Sequence, residues 1–240
     1  MRALSKTTGR LLVILLLAAL VKAQDVTLSA RVALVTENRT RPPKPENVVL
    51  WLTPIGTPAR DSARPASNAQ PLRLVQKDKS FRPHVLVVPV GAMVQFPNQD
   101  PFFHNVFSYF EGKSFDLGLY EAGSTRNVHF DKPGISYIFC NIHPQMSAVV
   151  VALDTPYYGI SDSRGQLLIP RVPTGRYMVH IWYEEAVPDS LGDLTREVTV
   201  SQNTSTLGLF RLTAATLQAH KNKYGKDYEP PSPESPAYAH

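Results

Sequence analysis

Residues 139–146 read FCNIHPQM, and residues 98–107 read NQDPFFHNVF. The first segment sets Cys140, His143 and Met146 at a C-x-x-H-x-x-M spacing, and the second supplies His104, thirty-six residues before the cysteine. The run ISYIFC ahead of the loop and AVVVAL behind it are β-branched and aromatic, so two strands are expected with a tight loop between them. Cys140 ends the first strand, and the next starts at Ala148. His104 must come from a different strand, so a β-scaffold rather than the chain's local turn sets the spacing of the four side chains.

One thiolate, two imidazoles and one thioether form a soft, mixed donor set. Thiolate and thioether favour Cu(I), imidazole accepts either oxidation state, and a weak methionine sets the potential, so the set points to one copper ion held by His104, Cys140, His143 and Met146. Zinc gains little from a thioether. Cys–His nucleophilic catalysis needs an orienting partner for which there is no motif. Cys140 is the chain's one cysteine, and a lone thiol in an exported protein implies an intermolecular bridge, a reactive nucleophile or a metal-held thiolate. Its neighbours favour the third. The other histidines, His84, His129, His180, His220 and His240, show no metal-ligand spacing, although His84 follows a Phe81-x-Pro83 step.

At these residues the chain resembles the cupredoxins, the type 1 blue copper proteins, and among them the amicyanin-like and plastocyanin-like members. The resemblance spans roughly residues 70 to 155. It rests on the ligand loop with Pro144 after its histidine, Phe81 and Pro83, the strand GAMVQFPN at 91–98, the pair His104-Asn105, and Pro133-Gly134 ahead of Cys140. It implies a Greek-key β-sandwich that carries single electrons and is not an enzyme. Asn105 would present its backbone N–H to the Cys140 sulfur and tie the two ligand loops with its side chain. His143 would reach the surface in an apolar patch of Phe102, Phe103, Ile142 and Pro144, where a redox protein docks. One departure is that Ser136 and Ile138 share the face of Cys140, whereas Tyr137 and Phe139 fall on the opposite face.

Short strand-like runs between Pro, Gly, Asn and Asp clusters recur along the chain, which reads as all-β. Residues 159–183 carry an Asp162-x-x-Gly165 turn and a Pro173-x-Gly175-x-Tyr177 turn, and resemble the second half of carboxypeptidase-regulatory-like or transthyretin-like sandwiches. Runs at 26–35 and 48–54 would open such a sandwich. The expected organisation is a signal peptide over 1–23, opening strands over 24–69, a copper module over 70–155 and closing strands over 156–213. A short basic helix and a Pro-rich extended tail follow over 214–240. The copper module is then either inserted into a split sandwich or one of two domains in series after an arm. Trp51 and Trp182 are expected in the sandwich core.

The N-terminus has Arg2, Lys6 and Arg10 before an apolar run from Leu11 to Val21. That is the pattern of a cleaved export signal, too short to span a bilayer, and implies a periplasmic or secreted protein with no membrane span after cleavage. Cleavage would take away four positive charges and lower the formal +5 to +1. The basic balance is therefore no argument for nucleic acid. A copper carrier or storage protein, and a structural sandwich with bound copper, remain alternatives to an electron carrier.

Overall fold

The computed structural model describes residues 25–35, 43–56, 71–109, 112–215 and 220–228. The expected export signal, the loop over 57–70 and the last residues of the tail lie outside them. In chain order the first strands are β1 (Asp25–Val35), β2 (Val49–Pro54), β3 (Leu72–Arg73), β4 (Val75–Lys77), β5 (Ser80–Arg82) and β6 (Val85–Pro89). They are followed by β7 (Ala92–Pro97), β8 (His104–Ser108), β9 (Phe115–Tyr120), β10 (Thr125–Phe130), β11 (Gly134–Cys140) and β12 (Ser147–Leu153). The last are β13 (Tyr158–Ile160), β14 (Gln166–Pro173), β15 (Gly175–Trp182), β16 (Arg196–Val200) and β17 (Thr206–Thr213), with one short helix, α1 (Pro188–Gly192), before β16. The protein is all-β.

Four of the five sheets among the described residues stack with three apolar layers between them, the fifth being the β4–β5 hairpin. The outermost sheet, β14–β1–β17, faces β13–β2–β15–β16 across a core that includes Leu28, Val32, Leu50, Leu52, Ile169 and Phe210. At the other end, β10–β7–β3 faces β6–β12–β11–β8–β9 across a core that includes Phe96, Phe130, Ile138, Cys140 and Met146. The two middle sheets meet through Val49, Val85, Val87, Val149, Val151 and Trp182. Strand β12 shows why its sequence is continuously apolar rather than alternating: Ala148, Val150 and Ala152 enter the core that holds Cys140 and Met146 while Val149, Val151 and Leu153 enter the middle layer. A strand buried on both faces has no solvent side to mark with polar residues.

The pairing follows a nested order. β1 runs antiparallel to β14 and parallel to β17, and β2 pairs with β13 and β15. The strands between, β3 to β12, pair among themselves. The Asp162 turn forms as its residues dictate. Its carboxylate accepts the N–H groups of Arg164 and Gln166, and Gly165 has φ 74° with the backbone carbonyl of Val32 2.3 Å from where a Cβ would lie, so only glycine fits. The Tyr177 hydroxyl donates to the Pro173 carbonyl at 2.8 Å, closing the second turn.

Several expectations are corrected. Strands β5, β9 and β13 carry weak signals: two are three residues long, and β9 is half-exposed and interrupted by Gly118 at φ 67°. Of the basic helix expected from residue 214, residues 216–219 lie outside the described residues. Ala214 bridges to Ala186, and 220–223 are not helical. Trp182 lies in the middle layer rather than within one sandwich, and Trp51 packs beside that layer with its ring stacked on His180 at 5.1 Å.

Candidate metal centre

Antiparallel pairing of β8 with β11 sets Val106 opposite Cys140 and Phe107 opposite Phe139, which brings His104, at the start of β8, beside the end of β11. The chain then turns back. The Cys140 N–H donates to the Met146 carbonyl at 3.2 Å and the Met146 N–H to the His143 carbonyl at 3.0 Å, so the loop is closed by its own backbone before β12 begins. Three of the four expected ligands converge: Nδ1 of His104 and of His143 lie 3.7 and 3.6 Å from the Cys140 sulfur, with all three ligand atoms within 4.8 Å of one another. The fourth, Met146, is fully buried in the core that also holds Cys140.

These distances fit a metal ion. For a first-row ion about 2.0 Å from nitrogen and about 2.3 Å from sulfur, trigonal bonds place nitrogen and sulfur about 3.7 Å apart. Protonation agrees. Burial raises the Asp100 carboxyl, but hydrogen bonds from His104 and from the Lys79 and Asp78 N–H groups outweigh it and hold it below the ordinary carboxylate range. As a carboxylate it only accepts, so the 2.9 Å contact to His104 Nε2 fixes the proton there. The lone pair of Nδ1 then faces the sulfur. Burial lowers the pKa of His104, and the His143 pKa is pushed down to about 4 by burial and by the charges of His104 and Lys79. Both imidazoles are therefore neutral at neutral pH, as metal ligation requires. Burial pushes the Cys140 thiol up, against hydrogen bonds from the backbone N–H groups of Ile142, Asn105 and His143.

Asn105 departs from expectation in part. Its N–H approaches the Cys140 sulfur, but its side-chain amide donates to Asp116 on β9 at 2.7 Å. The ligand loops are tied by backbone instead, with the Asn141 N–H donating to the Asn105 carbonyl at 2.9 Å. Asp116 is charged and adjacent across the β8–β9 pair, so it is the stronger acceptor for the amide.

His143 also differs. It is 1 % exposed, because Phe102 packs against both imidazoles, its ring 5.3 Å from His104 and 5.5 Å from His143. Phe103 is 46 % exposed, Pro144 is exposed and Ile142 half-buried. The apolar residues thus form a thin roof over the imidazole rather than a collar around it. The departure at β11 has a structural counterpart: Ile138 packs on the ligand side, while Tyr137 turns to the middle layer and meets Trp182 edge-on at 6.4 Å. Sequence reading passed over Asp100, although it stands four residues before His104 in the quoted segment. It also passed over Asp116 and Lys223, for which no sequence pattern gave notice.

No protein-family model matches the chain, and no curated protein matches it. Solved structures do align with part of it. A purple cupredoxin from Nitrosopumilus maritimus aligns at 22 % identity over 34 % of this chain and 99 % of its own, with a TM-score of 0.31. A Cu-containing nitrite reductase from Thermus scotoductus aligns at 26 % identity over 42 % of this chain and 25 % of its own, TM-score 0.34. A Cu(I) amicyanin variant aligns at 17 % identity over 43 % of this chain and 98 % of its own, TM-score 0.33. At such scores none of these alignments bears on function. No helix among the described residues is long and apolar enough to cross a membrane.

Proposed function

We propose that this chain is an exported copper protein of the cupredoxin type that carries single electrons between redox partners, with His104, Cys140, His143 and Met146 holding one ion. The observation that carries the reading is the convergence of two imidazole Nδ1 atoms on one thiol sulfur at 3.6–3.7 Å, in a pocket where all three residues are buried. Copper bound there supplies one-electron exchange between Cu(I) and Cu(II). The protein's part is to keep the donors still. His104 is fixed by Asp100 and by its strand, Cys140 by β11, and His143 by the short loop closed onto Met146. Donors that do not move on a change of charge keep the reorganisation small.

Export is supported by the N-terminal pattern of basic residues and an apolar run. The division into a copper module over 70–155, inserted between the halves of a second sandwich, is supported by the nested strand pairing. Docking of a redox protein at Phe103 and Pro144, over Phe102 and Ile142, is supported by their exposure next to the buried His143, since small apolar patches suit brief redox encounters. A copper carrier is the second reading. Complete burial of the ligands speaks against it, because a carrier must let a recipient reach the ion.

The test is a visible spectrum of copper-loaded mature protein. An intense thiolate-to-copper band is expected, and it should vanish in Cys140→Ser because the transition belongs to the sulfur. Met146→Leu should keep the colour and raise the potential. A colourless protein with tetragonal EPR parameters refutes the copper site as proposed. Phe103→Glu separates the two functions. Slower electron exchange with an unchanged spectrum supports the carrier of electrons, whereas unchanged exchange with rapid loss of copper to a modest chelator supports the carrier of copper.

A further inference from the structure

Residues 220–228, HKNKYGKDY, fold against the thiolate end of the metal centre. Their own shape comes from Asn222. Its side-chain oxygen accepts the N–H groups of Tyr224 and Lys226, its backbone pairs with Lys226 and Gly225, and Gly225 takes φ 74°. The result is a tight turn that presents three contacts on one side. The Tyr228 hydroxyl donates to the Cys140 carbonyl at 2.8 Å. The Lys223 N–H donates to the side-chain oxygen of Asn141 at 2.9 Å. The Lys223 ammonium pairs at 2.9 Å with Asp116, which also accepts from Asn105. The His220 ring adds a stack on Phe139, 4.1 Å between centroids and 26° between planes, and its Nδ1 lies 3.2 Å from the Tyr228 hydroxyl.

We infer that residues 220–228 are a strap that holds the thiolate loop in place, with Lys223 and Tyr228 as its positioning residues. The contacts fall on Phe139, Cys140 and Asn141 and, through Asp116, on Asn105. Cys140 and Asn141 begin the ligand loop, and Asn105 and Cys140 each lend it a backbone hydrogen bond. A loop of five residues between Cys140 and Met146 has little apolar mass of its own to hold it against opening. The strap crosses from the far end of the chain to supply hydrogen bonds at the end of β11, and its His220 ring stacks on Phe139, whose side chain lies on the face of β11 away from Cys140. Losing two such hydrogen bonds, one of them charged, makes opening of the loop about tenfold more frequent or greater.

The inference rests on Cys140 being the metal's thiolate, and its test is made to stand apart from that reading. The double variant Lys223→Met with Tyr228→Phe, and a chain ending at residue 219, are compared with the intact mature chain in metal-free form. The rate at which Cys140 reacts with an aromatic disulfide reagent should rise about tenfold or more, with faster hydrogen exchange at the Cys140 and Asn141 amides and unchanged exchange in β1 and β17. Lys223→Arg, which keeps the pair with Asp116, should react like the parent. After copper loading, release to a chelator should quicken in the double variant by a similar factor. Thiol reactivity within twofold of the parent overturns the strap, as does an acceleration matched by equal loss of protection in β1 and β17, which would mean general destabilisation. If the shortened chain fails to fold, the point variants decide. Failure of the intact chain to show a thiolate-to-copper band overturns the copper reading alone, since the metal-free thiol measurement does not depend on it.

Discussion

Replacing Asp100 by Asn separates the charge behind His104 from the space it fills. Asp100 is 4 % exposed and accepts from His104 Nε2 at 2.9 Å and from the Asp78 and Lys79 N–H groups at 2.6 and 3.0 Å. All three neighbours are donors. An amide has one acceptor, so Asp100→Asn keeps at most one side of this arrangement and turns an NH2 group toward the other. If the amide oxygen takes the Oδ1 place beside the Asp78 N–H, its NH2 group faces the Lys79 N–H and His104, which then gives up its Nε2 proton and carries it on Nδ1, the atom that faces Cys140. A protonated Nδ1 cannot ligate, and restoring the other tautomer against the amide donor weakens the metal site by about 10- to 100-fold, the usual cost of losing such a partner. That is about 1.4 to 2.7 kcal/mol of binding. The metal-free fold should also lose about 2 to 3 kcal/mol, the worth of a charge-assisted bond. The assays are a competition titration with a Cu(I) chelator and a denaturant titration of the metal-free protein, with nitrogen NMR of His104 reporting the tautomer. A variant that binds copper within twofold of the parent, with the His104 proton still on Nε2, refutes the reasoning.

Trp182→Ala should lower stability by about 3 to 5 kcal/mol, the range for a large aromatic removed from a packed layer. The copper spectrum should stay intact, since Trp182 meets Tyr137 on the face of β11 away from the ligands; a denaturant titration showing under 1 kcal/mol would contradict the middle layer as a core. In metal-free protein the pKa of His143, lowered from 6.5 to about 4, means that the unfolded chain binds the extra proton between those values. Stability is then lost as pH falls through that window, by about 3 kcal/mol, and His143→Gln should flatten that part of the stability curve. His84 behaves oppositely: its hydrogen bond and ion pair with Glu184, at 2.5 Å, raise its pKa despite partial burial. This contribution is full below 6.5 and disappears as pH rises through the raised value. Glu184→Gln should bring the His84 titration down by NMR and remove up to about 1 kcal/mol on the acid side only.

The loop FCNIHPQM and the segment NQDPFFHNVF were enough to single out His104, Cys140 and His143, which the fold brings together, as candidate ligands, because candidate ligation depends on the chemistry of a few side chains spaced along strands. The turns at Asp162–Gly165 and Pro173–Tyr177 were legible for a similar reason: their hydrogen bonds are made within a few residues. Most strands could be read from β-branched and aromatic runs, and β5, β9 and β13 could not, being too short or too exposed to leave a pattern. What only the tertiary structure decided are contacts between residues far apart in the chain. Val106 stands opposite Cys140, β1 lies beside β17, and the stack of four sheets turns Tyr137 and Trp182 toward each other. The roof of Phe102 over His143, the carboxylate of Asp100 behind His104 and the return of residues 220–228 to Cys140 belong to the same class. A sequence records local propensity and side-chain chemistry at each position, but which surfaces meet is settled by packing of the whole chain, where apolar layers close and every buried donor must find an acceptor.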